Sequence, residues 1–345
     1  MKTAARKAVS YSQRFEDLYL MRCFGDRADG FYIDIGAGHP VFDNVSFAFY
    51  LKGWTGITVE PNPALARLGR AVRPRDRMLE AVVGAKQGET TFYVVNEFHG
   101  FSTTIADNAG AALTQFGKGA SAITVPVTTL AALCAEHEPT SIDFLKIDME
   151  GAEADVLFSG DWERFRPKII VVEALAPYTQ LPAWDAWEPY LAERGYRYVW
   201  FDSLNRYYLA DEARDLAPHF ETAPASFDAM LFRDAGRALE QQSHPDRSLA
   251  DLLARAALMR APLLDPALLL DLVTADLLPA RLAAPATAEE VAAACQRLFG
   301  RACSVAEIAA LELPAGATTR ELYARLIDSD LFRTACGRIS AGYAW

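Results

Sequence analysis

Short apolar runs alternate with amphipathic stretches along the chain up to about residue 233. This alternation predicts an α/β fold, in which helices connect the strands of a mostly parallel sheet. Seven segments have the length and composition of strands: Phe31–Ile35, Gly56–Glu60, Met78–Val83, Phe144–Asp148, Lys168–Glu173, Tyr196–Asp202 and Arg206–Leu209. The last two are separated only by Ser203–Asn205, and this short connection predicts an antiparallel hairpin at one edge of the sheet.

Amphipathic stretches between these strands predict helices: Asn44–Leu51, Pro63–Ala71, Leu130–Glu136, Ala152–Leu157 and Trp184–Arg194. The segment Gly84–Val127 is less regular than the rest. It predicts an inserted or edge-strand region, with Ser102–Thr104 in a loop.

The pattern changes after Arg233. Residues 234–247 are polar and lack a periodic apolar face, which predicts a linker. From residue 248 the chain is rich in Ala and Leu at helical spacing, and capping boxes predict three helix starts: Thr287 with Glu290, Ser304 with Glu307, and Thr318 with Glu321. The sequence therefore predicts an α/β domain over residues 1–233 and a small all-α domain over residues 248–345.

The length of 345 residues agrees with two domains, since a single domain usually has about 100–200 residues. The 45 acidic and 34 basic side chains leave a formal charge of −11, which argues against nucleic acid or an anionic membrane as the main partner. No stretch has the character of a membrane span or a secretory leader, so we expect a soluble, cytoplasmic protein. Five cysteines, none in a CxxC pair, predict buried reduced thiols: Cys23, Cys134, Cys295, Cys303 and Cys336.

A glycine turn follows the first predicted strand. Asp34 lies near the end of this strand, and Gly36, Ala37 and Gly38 follow where the chain turns toward a helix. Glycines at this place let the backbone approach a nucleotide closely at the carboxyl edge of a sheet. A dinucleotide fingerprint requires a third glycine, and that position is Val41. The missing glycine, and an acid that can face the cationic end of a methionine moiety, favour S-adenosylmethionine over NAD.

Acidic residues also end two later strands. Glu60, followed by Pro61 and Asn62, ends the second strand, where an acid can accept hydrogen bonds from both ribose hydroxyls of an adenosine. Asp148 and Glu150 stand at the end of a later buried strand. Because clustered acids repel one another, a cation or a polar substrate is the usual reason for such a cluster. We therefore predict that Glu60 and its two neighbours bind the cofactor and that Asp148 takes part in the chemistry.

Six segments together resemble the FkbM family of S-adenosylmethionine-dependent O-methyltransferases: Ser12–Leu20, Tyr32–Asn44, Phe49–Pro63, Asp143–Leu157, Arg166–Ala174 and Gly195–Leu209. Their common order makes the resemblance more specific than any single motif. It implies a Rossmann-like, class I methyltransferase sheet and methylation of a hydroxyl oxygen, often on a sugar in a glycan or a glycosylated metabolite. Ser203 departs from the glycine expected there, which should alter only the turn.

Methylation of a hydroxyl is helped by a general base, which contributes about 10²–10⁴-fold. The candidates at the carboxyl edge of the sheet are His39, Asp148, Glu150, Glu173 and Asp202. His39 is among them because histidine commonly transfers protons at neutral pH. The place of His39 beside the glycine turn suits a structural hydrogen bond equally well. Asp148 and Glu150 could instead hold a divalent metal, and their oxygens suit Mg²⁺ better than zinc. Candidate ligands for acceptor hydroxyls follow later strand ends, although the last two could simply shape the hairpin turn: Glu173, Asp202 and Asn205.

The helical tail from Val291 to Arg333 resembles a bacterial helical module without assigned chemistry that is attached to glycan-modifying enzymes. This resemblance predicts contact with a second copy or with a glycosyltransferase. The alternative is a bundle that packs on itself or on the catalytic domain. Two other functions stay open: an NAD-dependent sugar-modifying oxidoreductase and a non-catalytic adaptor of a glycan-assembly system. The absent third glycine argues against the first, and the intact motif acids argue against the second.

Overall fold

The computed structural model describes residues 8–25, 27–95, 102–105, 120–177, 179, 181–224, 229–232, 243, 266–274, 277–299 and 301–335. The chain divides into two compact units, Met1–Arg233 and Asp234–Trp345. Except for Ser243, the predicted linker over residues 234–247 lies outside the described residues.

The first unit is built on a seven-stranded sheet. The described strands are β1 (Ala8–Ser10), β2 (Phe31–Ile35), β3 (Thr55–Val59), β4 (Arg77–Leu79), β5 (Val82–Val83), β6 (Gly88–Val95), β7 (Ala120–Thr128), β8 (Ile142–Ile147), β9 (Pro167–Glu173), β10 (Tyr196–Phe201), β11 (Asn205–Ala210) and β12 (Ala229–Leu231). The order in the large sheet is β10-β11-β9-β8-β2-β3-β4. β11 is antiparallel to both of its neighbours, and the other pairs are parallel. The sheet is therefore mixed, and the predicted α/β class with an antiparallel hairpin at one edge is confirmed.

The prediction of one strand over Met78–Val83 is wrong. β4 pairs with β3 in the large sheet, whereas β5 pairs with β7 in a separate sheet of order β5-β7-β6. The amide of Glu60 donates to the carbonyl of Leu79 (3.0 Å) where the β3–β4 pairing ends. The chain then leaves one sheet and enters the other at Val82, so the second sheet occupies much of the segment predicted to be irregular.

Helices flank these strands and form the second unit. The described α-helices are α1 (Glu16–Phe24), α2 (Phe47–Leu51), α3 (Pro63–Val72), α4 (Leu130–His137), α5 (Glu153–Phe158), α6 (Glu188–Glu193), α7 (Pro266–Val273), α8 (Pro279–Ala283), α9 (Ala288–Phe299), α10 (Val305–Ala309) and α11 (Thr319–Asp328). The predicted helix Trp184–Arg194 is two pieces, a 3₁₀ turn over Trp184–Ala186 and then α6. Pro189 explains the break, because it has no amide to bond the carbonyl four residues earlier.

Aromatic and aliphatic side chains fix the strands of the large sheet. Leu20, Phe49, Trp54, Phe144 and Val171 belong to one buried cluster, and each is at most 1% exposed. Burial of apolar surface on this scale is the main favourable contribution to folding. β2, β3, β8 and β9 pair in parallel beside this cluster, so their carboxyl ends meet at one edge.

The second unit has a core of its own. Leu322, Tyr323 and Leu326 from α11 pack in one cluster with Ala294 and Cys295 from α9. This arrangement agrees with the predicted all-α character of the C-terminal residues. None of the helices in the described part of the chain has the length and apolar character that crossing a bilayer requires.

Two of the three predicted capping boxes are formed in full. At Ser304 and Thr318 the hydroxyl accepts an amide three residues on, and the glutamate there accepts the amide of the capping residue. At Thr287 the hydroxyl accepts the amide of Glu290 (3.2 Å). The Glu290 carboxylate, however, accepts hydrogen bonds from Arg281 (2.7 and 3.2 Å), so an ion pair takes the place of the second half of this box.

The prediction of five reduced cysteines is wrong for one pair. Cys295 and Cys303 form a disulfide, and their Cα atoms are 5.8 Å apart, which is within the reach of such a bond. The bond joins α9 to the segment before α10. Cys23 and Cys134 are free thiols, and Cys336 lies outside the described residues.

Candidate active site

The carboxyl ends of four parallel strands bring the predicted site residues to one edge of the sheet. Asp34 is in β2, and Glu60 and Asp148 follow β3 and β8 directly. Glu173 ends β9, and the antiparallel register pairs it with Asn205 at the start of β11. Nucleotide ligands bind at this edge in open α/β sheets. The sequence-predicted residues therefore share one edge although they are far apart in the chain.

The glycine turn requires its glycines. Gly36 has φ 71° and Gly38 has φ 60°, in the left-handed region that favours glycine. A Cβ on Gly36 would lie 1.7 Å from the carbonyl oxygen of Asp148, whereas one on Gly38 would have no described atom within 4 Å. The amides of Gly36 and Ala37 both donate to the carbonyl of Val59 (3.0 Å each). The turn is thus held tightly against β3 and β8 at its start and is open at Gly38.

Glu60 connects the glycine turn to the next helix. Its Oε2 accepts the amide of Gly38 and its Oε1 accepts the amide of Asn62, each at 2.8 Å. Asn62 in turn caps α3 by accepting the amide of Ala64 (3.0 Å), and Pro61 lies between these two anchors. Burial raises the pKa of Glu60 to about 7, although both amides lower it. The carboxylate therefore fixes both loops that border the predicted cofactor site.

Asp34 lies beneath the glycine turn. Its side chain is 1% exposed, and its Oδ2 accepts the hydroxyl of Ser46. Its Oδ1 is buried and has no hydrogen-bond partner within the described part of the chain, and the Nζ of Lys146 is 4.0 Å away. Asp34 therefore supports the turn from the protein side rather than lining its open side.

Lys146 is a polar residue of this edge that sequence reasoning missed. It lies on β8 between Leu145 and Ile147, and its Nζ donates to the carbonyl of Gly36 (3.2 Å) and to Oδ2 of Asp148 (3.0 Å). Burial lowers the pKa of Lys146, but the negative charges of Asp148 and Asp34 raise it by more, so the net shift is upward. Buried parallel strands are usually continuous apolar runs. A lysine within such a run was the sequence signal that could have identified this residue.

Three acidic side chains meet beyond the end of β8. One carboxylate oxygen from each of Asp148, Glu150 and Glu173 lies within 4.8 Å of the others. Burial, and then repulsion from Asp148, raises the pKa values of Glu150 and Glu173 well above the usual value. Oε2 of Glu173 is buried without a hydrogen-bond partner among the described residues. These carboxyl groups can bind protons, hydroxyl groups or a divalent cation.

The loop predicted over Ser102–Thr104 is anchored beside this acidic group. Thr103 is buried and forms a bridge with Tyr93 of β6, with N–O distances of 2.8 and 3.2 Å. Its hydroxyl also donates to the carbonyl of Glu150 (3.5 Å). Glu150 itself has φ 50°. The small sheet therefore helps to hold the backbone that carries Glu150.

His39 has a defined hydrogen-bonding role in the turn. Its Nδ1 accepts the amides of Val41 (3.1 Å) and Phe42 (3.0 Å), and its ring packs edge-on against that of Phe42. When Nδ1 of a neutral imidazole is an acceptor, the proton is on Nε2. The ring therefore shapes the chain that leaves the glycine turn.

Asp202 and Asn205 take part in a buried polar network. Oδ1 of Asp202 accepts the amides of Leu204 (2.9 Å) and Asn205 (2.7 Å), and Oδ2 accepts the hydroxyl of Tyr207 (2.7 Å). The Asn205 side chain donates to Glu16 on α1 (3.0 Å). Burial, and then repulsion from Asp202, raises the pKa of Glu16 to about 7. These groups bind one another and hold the hairpin turn against the N-terminal segment.

An α/β sheet with a glycine turn after one strand and an acid after the next is the framework of nucleotide-cofactor enzymes. Residues 34–198 match the family model described as the Methyltransferase FkbM domain. This match confirms, over residues 34–198, the resemblance predicted from the ordered motifs. The match does not reach the helical unit, whose own resemblance stays a prediction. No curated protein and no solved structure matches the chain.

Proposed function

We propose that the first unit is a class I, S-adenosylmethionine-dependent O-methyltransferase that methylates a sugar hydroxyl of a glycan or a glycosylated metabolite. One observation carries the proposal: the Gly36–Gly38 turn and Glu60 share a sheet edge with Asp148, Glu150 and Glu173. A methyl donor held by the first group would stand beside proton acceptors from the second. The family match supports methyl transfer as the class of reaction.

The residues of the glycine turn fit this cofactor. Gly36 and Gly38 provide backbone that a ligand can approach, and the Cβ position of Gly38 is free of described atoms. Each carboxylate oxygen of Glu60 accepts one amide and keeps a lone pair for a ribose hydroxyl. Asp34, from beneath, adds negative charge under the turn. When bound, the cofactor supplies an electrophilic methyl group on a sulfonium.

Asp148 is the proposed general base. Lys146 fixes its Oδ2, yet the Asp148 side chain remains 33% exposed, so the carboxylate can take a proton from an acceptor hydroxyl on the open side of the edge. His39 is a weaker candidate because its Nδ1 already accepts two amides. The base contributes about 10²–10⁴-fold, and the alignment of donor and acceptor supplies the remainder.

The neighbouring acids favour an uncharged, hydroxyl-rich acceptor. The raised pKa values of Glu150 and Glu173 favour protonated carboxyl groups, which both donate and accept hydrogen bonds. A phosphorylated acceptor would bring further negative charge to an edge where three acidic side chains meet and Lys146 is already paired with Asp148. Asp202 and Asn205 contribute indirectly, since they hold the strand end that faces Glu173.

In a second version of the proposal, the same three carboxyl groups hold a divalent metal ion. Asp148, Glu150 and Glu173 offer the oxygen ligands that Mg²⁺ prefers, and a bound cation would relieve their mutual repulsion. Turnover after exhaustive EDTA treatment decides between the versions. Unchanged turnover removes the metal from the proposal, whereas turnover that is lost and restored by Mg²⁺ supports it.

Transfer of a tritiated methyl group from S-adenosylmethionine to a cell-envelope glycan extract tests the function. We expect label in the glycan fraction with the wild-type chain and at least ~100-fold less with Asp148→Asn. A wild-type chain that binds S-adenosylhomocysteine but labels no glycan would support the adaptor function. A melting temperature raised by NAD and not by S-adenosylhomocysteine would support the oxidoreductase.

A further inference from the structure

We propose that Lys146 is a positioning residue that holds the acceptor-side base in register with the cofactor turn. The inference rests on the proposed function and assigns a role to a residue that is not itself expected to touch donor or acceptor. Its ammonium group bonds the carbonyl of Gly36 on one side and the carboxylate of Asp148 on the other. One side chain thus connects the two halves of the site.

The position of Lys146 in the sheet explains why it can make both contacts. β8 lies between β2 and β9, and Lys146 is in register with Asp34 on one side and Val171 on the other. Its side chain is 8% exposed. Backbone contacts already bring the same two halves together, because the amide of Asp148 donates to the carbonyl of Ile35 (3.1 Å). The backbone is therefore already fixed, and the further contribution of Lys146 is to orient the Asp148 side chain.

The chemistry of the contacts favours a lysine. A buried ammonium is costly unless its donors are used and its charge is balanced. Lys146 meets both conditions, with two hydrogen bonds and with Asp34 4.0 Å away as a further negative charge. Asp148 is held at one oxygen while a third of its side chain stays exposed, as a base that must meet a substrate requires.

The chain contains a matched control. Lys168 also pairs with a buried acid of β8, since its Nζ is 2.7 Å from Asp143, but this pair lies at the opposite end of the strand. Lys168→Met removes the same type of group and the same type of ion pair far from the proposed chemistry. Lys168 is more exposed than Lys146, 41% against 8%, so a role in folding alone predicts a larger loss of stability for Lys146→Met but no loss of kcat in the protein that remains folded.

The test is a double-mutant cycle on full-length protein, with tritiated S-adenosylmethionine and the glycan extract as substrates. Lys146→Met should lower kcat about 30-fold or more with S-adenosylhomocysteine affinity changed less than ~5-fold, and Lys168→Met should keep kcat within ~2-fold. If Lys146 acts through Asp148, Lys146→Met should cost little further turnover in the Asp148→Asn background. Should Lys146→Met fail to fold, Lys146→Gln and Lys146→Arg enter the same cycle.

The outcomes separate this inference from the function on which it rests. A wild-type chain that transfers no methyl group overturns the proposed function, and with it this inference. An active wild-type chain in which the Lys146 substitution costs the same factor with and without Asp148 overturns the inference alone. Equal losses of turnover for the Lys146 and Lys168 variants would do the same.

Discussion

Both ends of β8 carry acidic and basic side chains, but cations outnumber acids at the start of the strand and acids outnumber cations beyond its end. At its start Asp143 is fully buried and accepts hydrogen bonds from Arg27 (2.9 Å), Lys168 (2.7 Å) and the amide of Phe31 (3.1 Å). Although burial raises the pKa of Asp143, the bonds from Arg27 and Lys168 lower it below its usual value. This end is a satisfied ion cluster, in which two cations neutralise one acid.

Beyond the other end, Lys146 faces an excess of acids. Asp148 pairs with it, while Glu150 and Glu173 have pKa values raised well above the usual value by burial and by Asp148. Burial of several carboxyl groups close together destabilises the folded state because their charges repel one another. Carboxyl groups with strongly shifted pKa values cluster at functional sites, where such a cost is tolerated. In the proposed function, the amino end of the strand therefore serves stability, and the carboxyl end is where we place the chemistry.

The largest expected effect comes from Asp148→Asn. We expect turnover to fall about 10²–10⁴-fold because the amide cannot take the acceptor proton, while S-adenosylhomocysteine affinity changes less than ~5-fold. Initial-rate kinetics and calorimetry measure the two quantities. If Asp143→Asn lowered turnover as much as Asp148→Asn, the two ends would not differ in role.

The pH dependence of stability should have opposite signs at the carboxyl edge of the sheet and at the amino end of β8. Glu16, in the network at the carboxyl edge, has its pKa raised to about 7, so it binds a proton more tightly when folded. Its stabilising contribution is full below its unfolded pKa and is lost as pH rises through about 7. Between low and high pH, the free energy of unfolding of Glu16→Gln should therefore decline by up to about 3 kcal/mol less than that of the wild type. Urea unfolding at pH 5 and pH 8 tests it, and an unchanged decline in the variant would contradict the assignment.

Asp143 should show the reverse dependence and a smaller effect. Its lowered pKa means that its contribution is present above the unfolded pKa and is lost as pH falls through the folded value. Asp143→Asn should reduce the free energy of unfolding at pH 7 by about 2 kcal/mol, with kcat within ~2-fold of wild type. Both partners of Asp143 are 41% exposed, which keeps the loss moderate. A stable but inactive Asp143→Asn variant would reverse the roles of the two ends.

The sequence could predict which acidic residues of the candidate site lie at the ends of strands. Asp34, Glu60 and Asp148 were found because each lies at or beside the end of an apolar run, and parallel strands bring such ends together. Lys146 was missed because its neighbours make the segment read as a plain buried strand. Glu16 was missed because its partner Asn205 is 189 residues away, and no local pattern reports so distant a contact.

Two errors of fold prediction have a similar origin. Met78–Val83 is one apolar run, but the choice between two sheets depends on the distant partners β3 and β7. The Cys295–Cys303 disulfide has no CxxC spacing, and its formation depends on how the end of α9 approaches the segment before α10. Local pattern thus determined the type of most elements, while pairing between distant segments determined the exceptions.

Calorimetric titration of S-adenosylhomocysteine into the full-length chain tests the central claim most directly. We predict a dissociation constant in the micromolar range for the wild type and no detectable binding for Glu60→Ala, because Glu60 holds both the Gly38 and Asn62 amides and is the proposed acceptor of the ribose hydroxyls. Glu80→Ala, which removes a partly exposed glutamate after β4, is the matched control and should bind as the wild type does. Absence of binding to the wild type, or equal affinity in the Glu60 variant, would contradict the account.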